Sequence, residues 1–337
     1  MNLSKILLSP FSLLYGGITS LRNSAFDKGI KPQFKACCPV ISVGNLSVGG
    51  TGKSPMVEWL IFQFEGQYDI LVISRGYGRK TKGLFEVEVD DTSDKVGDEP
   101  LQIKRKYPNI KVVVSEKRQN AVEQFSSPSK NQLIILDDAL QHRYVQRDVN
   151  IVLSAYDNLF YKDHVLPMGR LREWRSGIER GDALVVTKCP KDFDLNEISE
   201  QVKNYSDLDV FFTRIKYGKQ VYNNDSSLAL TDLKKKPILL LSGIAKPEFF
   251  ENYIGGQFDK WRFSDHHNFS ANEISQIKEI LKDRYILTTE KDYMRLKNYK
   301  WTSDELGRIY YLPISVEFME NKASRFKDFI QSKLGKN

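Results

Sequence analysis

Gly44-Asn45-Leu46-Ser47-Val48-Gly49-Gly50-Thr51-Gly52-Lys53-Ser54-Pro55 follows the apolar run Val40-Ile41-Ser42-Val43 and precedes Met56-Val57-Glu58-Trp59-Leu60, whose pattern suits a helix. The order is strand, glycine-rich loop, helix. Glycines let successive backbone N–H groups turn inward on phosphate oxygens, a lysine reaches the terminal phosphates, and a hydroxyl ligates Mg²⁺. Ser47, Val48, Gly49, Gly50, Thr51, Gly52, Lys53 and Ser54 are therefore the expected nucleotide cradle, with Ser54 as the Mg²⁺ hydroxyl. The usual pattern begins with a glycine where this chain has Ser47, so a strict pattern search would miss the loop.

A loop of this kind belongs to an α/β, doubly wound, mostly parallel P-loop sheet. With 337 residues the chain has room for a second, smaller α/β lobe. We place the boundary at Lys234-Lys235-Lys236-Pro237, giving an N-terminal segment over 1–30, a nucleotide domain over 31–230 and a closing lobe over 231–325. Hydrophobic residues make up 41% and charged residues 28%, a globular composition. Three cysteines, two of them adjacent as Cys37-Cys38, form neither a disulfide framework nor a zinc spacing, which fits a reducing cytoplasm. The net charge of +7 comes without a long basic run interleaved with aromatics. An anionic membrane or a phosphorylated substrate accounts for it, no nucleic-acid partner is expected, and a monomer is.

From Ile6 to Leu21 the chain carries no charge, and Lys5 and Arg22 bracket the stretch. It is short for a span, which needs about 20 apolar residues, and Ser9, Pro10, Ser12, Gly16 and Gly17 interrupt it. Two readings stay open: an interfacial anchor facing anionic lipid, or a helix packed on the protein's own core. A secretory signal is not expected.

Three further segments carry chemistry. Asp69-Ile70-Leu71-Val72-Ile73 runs into Ser74-Arg75-Gly76-Tyr77-Gly78-Arg79, where Arg75 and Arg79 are either phosphate clamps or surface cations. Leu133-Ile134-Ile135-Leu136 ends in Asp137-Asp138, a Walker B pattern that delivers carboxylates for Mg²⁺ beside the phosphate loop. Gln141 and His142 behind it are substrate-orienting candidates or structural groups. Val96-Gly97-Asp98-Glu99-Pro100 offers Asp98 as a helix cap or as a general base. Among four histidines, His266 and His267 fall in Asp265-His266-His267, a poor zinc site but a fit partner for a carboxylate in acid–base work.

Taken in order, these motifs, together with Leu166-Pro167-Met168-Gly169-Arg170-Leu171-Arg172-Glu173 and Thr288-Thr289-Glu290-Lys291-Asp292, resemble the tetraacyldisaccharide 4'-kinases, the lipid A 4'-kinases of the Gram-negative inner membrane. The resemblance implies ATP- and Mg²⁺-dependent phosphorylation of the 4'-hydroxyl of an acylated glucosamine disaccharide 1-phosphate at the cytoplasmic face. It implies that Lys53, Ser54, Asp137 and Asp138 serve phosphates and metal, and that Asp98, assisted by His266, accepts the hydroxyl proton. Arg75, Arg79, Gln141, His142, Arg170 and Arg172 would meet the substrate. Ser47 and Ser54 stand where threonines are common in the family, Ala139-Leu140 for Gly-Phe, and Trp174 for Pro. Ser54 keeps the hydroxyl; Ala139 and Trp174 bear on the shape of the sugar pocket.

Two other classes share a phosphate loop. A regulatory GTPase needs an Asp four residues into its Asn/Thr-Lys signature, and Thr187-Lys188-Cys189-Pro190 has Pro190 there. A membrane-associated partitioning or metal-delivery ATPase would hydrolyse ATP with no lipid acceptor and would leave Asp98 and His266 idle.

Overall fold

The computed structural model describes residues 3–128, 131–265 and 267–335. After α1 (Leu3–Asp27), the first half of the chain alternates β1 (Val40–Asn45), α2 (Lys53–Phe64), β2 (Asp69–Ser74), β3 (Phe85–Glu86), α3 (Ser93–Val96), α4 (Asp98–Lys106), β4 (Lys111–Val114), α5 (Arg118–Phe125), β5 (Gln132–Asp137) and β6 (Val149–Ala155). It continues through β7 (Ala183–Thr187), α6 (Leu195–Lys203), β8 (Asp209–Tyr217), β9 (Gln220–Tyr222), β10 (Ser227–Ala229), α7 (Leu230–Leu233), β11 (Ile238–Ser242), α8 (Pro247–Ile254) and β12 (Asp259–Arg262). The rest is α9 (Ala271–Leu281), β13 (Tyr285–Thr289), α10 (Glu290–Leu296), α11 (Ser303–Gly307), β14 (Ile309–Leu312), β15 (Ile314–Phe318) and α12 (Ala323–Leu334).

Among the described residues the strands form two sheets. The larger, of nine strands, has the order β15-β8-β7-β6-β1-β5-β2-β4-β3, parallel throughout except for its antiparallel edges β3 and β15. Its central strands are buried on both faces and read as unbroken apolar runs, as parallel strands covered by helices must. The register pairs Val43 with Asp137 and with Ile151, so the segments after β1 and β5 leave the same edge side by side. The smaller sheet has the order β10-β9-β14-β13-β11-β12.

The division between lobes differs from the boundary expected at 231. β9 and β10 precede that point yet pair in the small sheet, while β15 returns to the large one and α12 packs Phe326, Ile330 and Leu334 against Val57, Phe64 and Phe211. The small sheet thus spans 220–312 as an insertion. The chain crosses between lobes twice, at Gly218 and at Pro313, and the Gly218 N–H donates to Pro313 O at 2.9 Å. Lys234-Lys235-Lys236 is only the turn between α7 and β11.

α1 bears out the reading of a helix packed on the protein's own core on one of its sides, and leaves the other side exposed. One side is tied to the protein: Ser12 Oγ accepts from Met168 N, Asn23 Nδ2 donates to Glu173, and Phe26 is buried. The indole of Trp174 lies so close to Gly16 that a Cβ there would come within 2.5 Å of it. The other side leaves Leu7, Phe11, Leu13, Leu14, Ile18 and Leu21 at least 59% exposed. No described helix is long and apolar enough to cross a membrane.

Candidate active site

The phosphate loop closes onto α2 through Gly49 and Gly52, whose φ values of 106° and 85° lie in the left-handed region that favours glycine. Behind it Asn45 acts as a brace: its Nδ2 donates to Ser47 O at 2.6 Å and to Thr51 Oγ1 at 2.8 Å. Val48 N donates to Arg170 O at 2.8 Å, so Arg170 enters the site through its backbone while its side chain is exposed. Lys53 and Ser54 open α2, where the N-terminal N–H groups and the helix dipole favour phosphate.

A second brace was not foreseen. Thr187 Oγ1 donates to Thr51 O at 2.8 Å and Lys188 Nζ to Gly50 O at 2.5 Å, with Lys188 held at a φ of 58°. The sequence signal was present, an apolar strand ending in Thr-Lys, but it served only to reject guanine.

The two aspartates diverge as alternating residues should. Asp137 is buried; its Oδ2 accepts from Ser74 Oγ at 3.0 Å and its Oδ1 has no hydrogen-bond partner among the described residues. Burial, then the neighbouring Asp138 charge, pushes its carboxyl up to about 6, with Lys53 opposing and Glu99 adding to the rise. Asp138, at a φ of 47°, sits 3.6 Å from Lys53 Nζ and 2.9 Å from Arg172 Nη1. Burial works against its charge, but Lys53 and Arg172 outweigh that and hold it below the usual carboxylate range. The buried Arg118 fixes the turn by donating to both Asp137 O and Asp138 O. An unsatisfied buried carboxylate oxygen beside a phosphate lysine and a helix-start hydroxyl is a donor set that fits Mg²⁺ carrying nucleotide phosphates.

Asp98 approaches this edge through its loop. Gly97, at a φ of 95°, takes the cap position of α4, so the capping alternative for Asp98 does not hold. A Cβ on Gly97 would come within 3.1 Å of the Gly76 backbone, and one on Gly76 within 2.7 Å of Val96 O. The loop after β2 and the start of α4 are therefore joined backbone to backbone, as only glycines allow. Asp98 Oδ2 accepts from Arg295 Nε at 2.8 Å. His266, expected as its partner, lies outside the described residues.

Other expectations need correction. Arg79 is not poised as a phosphate clamp: its side chain is 2% exposed, paired with Glu116 at 2.5 Å and donating to Gly83 O, so it anchors its own loop. Gln141 is occupied behind the site, donating to Asn45 O at 2.9 Å and Glu173 Oε1 at 2.8 Å. Arg172 holds Asp138 instead of projecting outward. Arg75 remains exposed and makes no hydrogen bond or ion pair among the described residues.

His142 packs its ring 5.5 Å from that of Tyr144 and is neutral: burial, then Arg118 and Arg147, pushes it down to about 3. The unfolded chain takes up this proton near 6.5 and the folded one near 3. Stability from His142 is therefore complete above 6.5 and lost as pH falls through that window. Urea unfolding followed from pH 7 to 4.5 should show a shallower loss in His142→Gln, by up to one proton; identical slopes would contradict a neutral buried imidazole.

The family model for Tetraacyldisaccharide-1-P 4'-kinase (LpxK) matches residues 4–335. The chain belongs to this family. A tetraacyldisaccharide 4'-kinase of Flavobacterium psychrophilum is 44% identical over 98% of this chain and 97% of its own length, and one of Phocaeicola vulgatus is 39% identical over 100% and 97%. The crystal structure of LpxK from Aquifex aeolicus in complex with ATP superposes with a TM-score of 0.79 at 30% identity, covering 98% of this chain and all of that one. The protein is a kinase of lipid A biosynthesis that uses ATP with Mg²⁺, on the expected P-loop α/β fold, and the alternative of an ATPase without lipid acceptor is set aside.

Proposed function

We propose that this kinase divides phosphoryl transfer between the large lobe's phosphate loop and the start of α4. Lys53 and the N–H groups from Gly49 to Ser54 bind the β- and γ-phosphates of ATP, and Asp137, Asp138 and Ser54 hold Mg²⁺. The bound ion neutralises phosphate charge during transfer. Asp98 accepts the proton of the 4'-hydroxyl as that oxygen attacks, with His266 as the helper that the family pattern assigns. Arg75 and Arg170, both exposed, take the anionic part of a tetraacylated disaccharide 1-phosphate. The observation that carries this reading is the convergence at one sheet edge of Lys53, the orphaned Asp137 oxygen and the Asp98 loop. The test is transfer of labelled γ-phosphate from ATP to the lipid in detergent: both Lys53→Ala and Asp98→Ala should lose at least about 100-fold in transfer, and phosphate release without labelled lipid would overturn the assignment.

An acylated acceptor stays in its bilayer, at about 0.8 kcal/mol per buried CH₂, so the enzyme goes to it. The outer face of α1, flanked by exposed Lys28 and Lys35, is suited to lie in the anionic cytoplasmic surface of the inner membrane as a peripheral anchor. A Leu14→Glu, Leu21→Glu variant should bind anionic phospholipid vesicles roughly 30-fold more weakly, taking about 1 kcal/mol for each partly inserted leucine. Its activity in detergent should stay within about 2-fold of wild type, since neither side chain faces the site. Unchanged vesicle binding would remove α1 as the anchor.

A further inference from the structure

Asp98 belongs to the large lobe, but a guanidinium that holds its carboxylate comes from the small lobe, 197 residues along the chain. Arg295 Nε donates to Asp98 Oδ2 at 2.8 Å, while Nη1 of the same guanidinium donates to Asp292 Oδ1 at 2.8 Å and to Gly243 O at 3.1 Å. The Arg295 side chain is 4% exposed and that of Asp292 is fully buried. Asp292 is pinned in turn: its Oδ2 accepts from Gly243 N at 2.9 Å and from Thr289 Oγ1 at 2.7 Å. A Cβ at Gly243 would come within 3.0 Å of Asp292 Oδ1 and 3.3 Å of Ser264 O, so this carboxylate and the loop at Ser264 both close in on the end of β11.

A buried guanidinium bridging two carboxylates is a costly way to glue two lobes together, because desolvation consumes much of the attraction. Its advantage is direction, since the planar fork fixes where each carboxylate points. The lobes have other ties on the same helix pair, Lys291 to Glu99 at 2.8 Å and Lys106 to Glu290 at 3.2 Å. Neither of these reaches Asp98.

We propose that Arg295 is a positioning residue for Asp98, through which the small lobe aims the proton acceptor at the 4'-hydroxyl. This rests on the reading of Asp98 as that acceptor. Lipid phosphorylation by Arg295→Gln should show kcat down by roughly 10- to 100-fold, the cost of misplacing a reacting group by about an ångström, with KM for ATP within about 3-fold of wild type. Added to Asp98→Ala, the same substitution should cost less than about 2-fold more, because the residue acts through the one removed. Arg295→Lys keeps the charge but not the fork and should stay impaired. Equal losses from Arg295→Gln with and without Asp98, or wild-type kcat in Arg295→Lys, would overturn the proposal. If Arg295→Gln does not fold, the lysine variant alone decides between these outcomes. Full activity of Asp98→Ala would instead overturn the acceptor reading, and the positioning role with it; wild-type activity in Arg295→Gln beside an inactive Asp98→Ala overturns the positioning role alone.

Discussion

Asp98→Ala is expected to bind Mg²⁺ and ATP with near-native affinity and to lose roughly 10²- to 10⁴-fold in transfer to lipid, the range a positioned acid–base group contributes. The two effects separate because of where Asp98 stands. The phosphate loop is braced by Asn45, Thr187 and Lys188, whose bracing hydrogen bonds run to the loop and not to α4, so nucleotide binding should survive the loss of the carboxylate. The acceptor oxygen, by contrast, loses the group that would take its proton. Removing Asp98 also takes one carboxylate from the buried Arg295, which keeps its bonds to Asp292 and Gly243 O, so a modest loss of stability accompanies the loss of turnover. Single-turnover transfer and equilibrium binding of a fluorescent nucleotide, measured on one preparation, separate these effects. Unchanged turnover would return Asp98 to a structural role in joining the lobes.

Lys53→Ala should behave differently, losing both nucleotide affinity and roughly 10²- to 10³-fold in kcat, the scale found when one donor aimed at developing charge is removed. Lys53 sits 3.6 Å from Asp138 and donates to Asn45 Oδ1 at 3.4 Å, so it touches both the loop's brace and the carboxylate pair proposed to hold Mg²⁺. Its loss leaves Asp138 to Arg172 and Arg118, and it removes the cation that opposes the upward push on Asp137. Asp137 would then hold its proton to higher pH, and the acid limb of activity should move upward along with the fall in rate. A variant with weakened ATP binding but normal turnover at saturation would confine Lys53 to ground-state binding.

What the sequence made legible was local. β1, the glycine loop and α2 are contiguous, and β5 ends in its own carboxylates, so the fold class and the placing of Lys53 beside Asp138 follow from short stretches. Arg118, Lys188 and Arg295 were not legible, because each gains its meaning from a contact with a residue far along the chain. Arg79 and His142 misled for the converse reason: their residue types suggest exposure and chemistry, while packing turned one inward onto Glu116 and made the other neutral. The lobe boundary failed because a lysine run before a proline reads as a linker, whereas the real crossings at Gly218 and Pro313 carry almost no compositional signal.

The late return of β15 and α12 governs the order in which the enzyme can be assembled during synthesis. The apolar cluster that seals one face of the large sheet needs Phe318, Phe326 and Ile330, which leave the ribosome after every strand of the small sheet. The inserted lobe can therefore complete its own core first, while the nucleotide-binding half waits with Trp59 and Phe211 uncovered. A nascent chain stalled before residue 314 would carry a finished small lobe on a large lobe whose core still lacks β15 and α12.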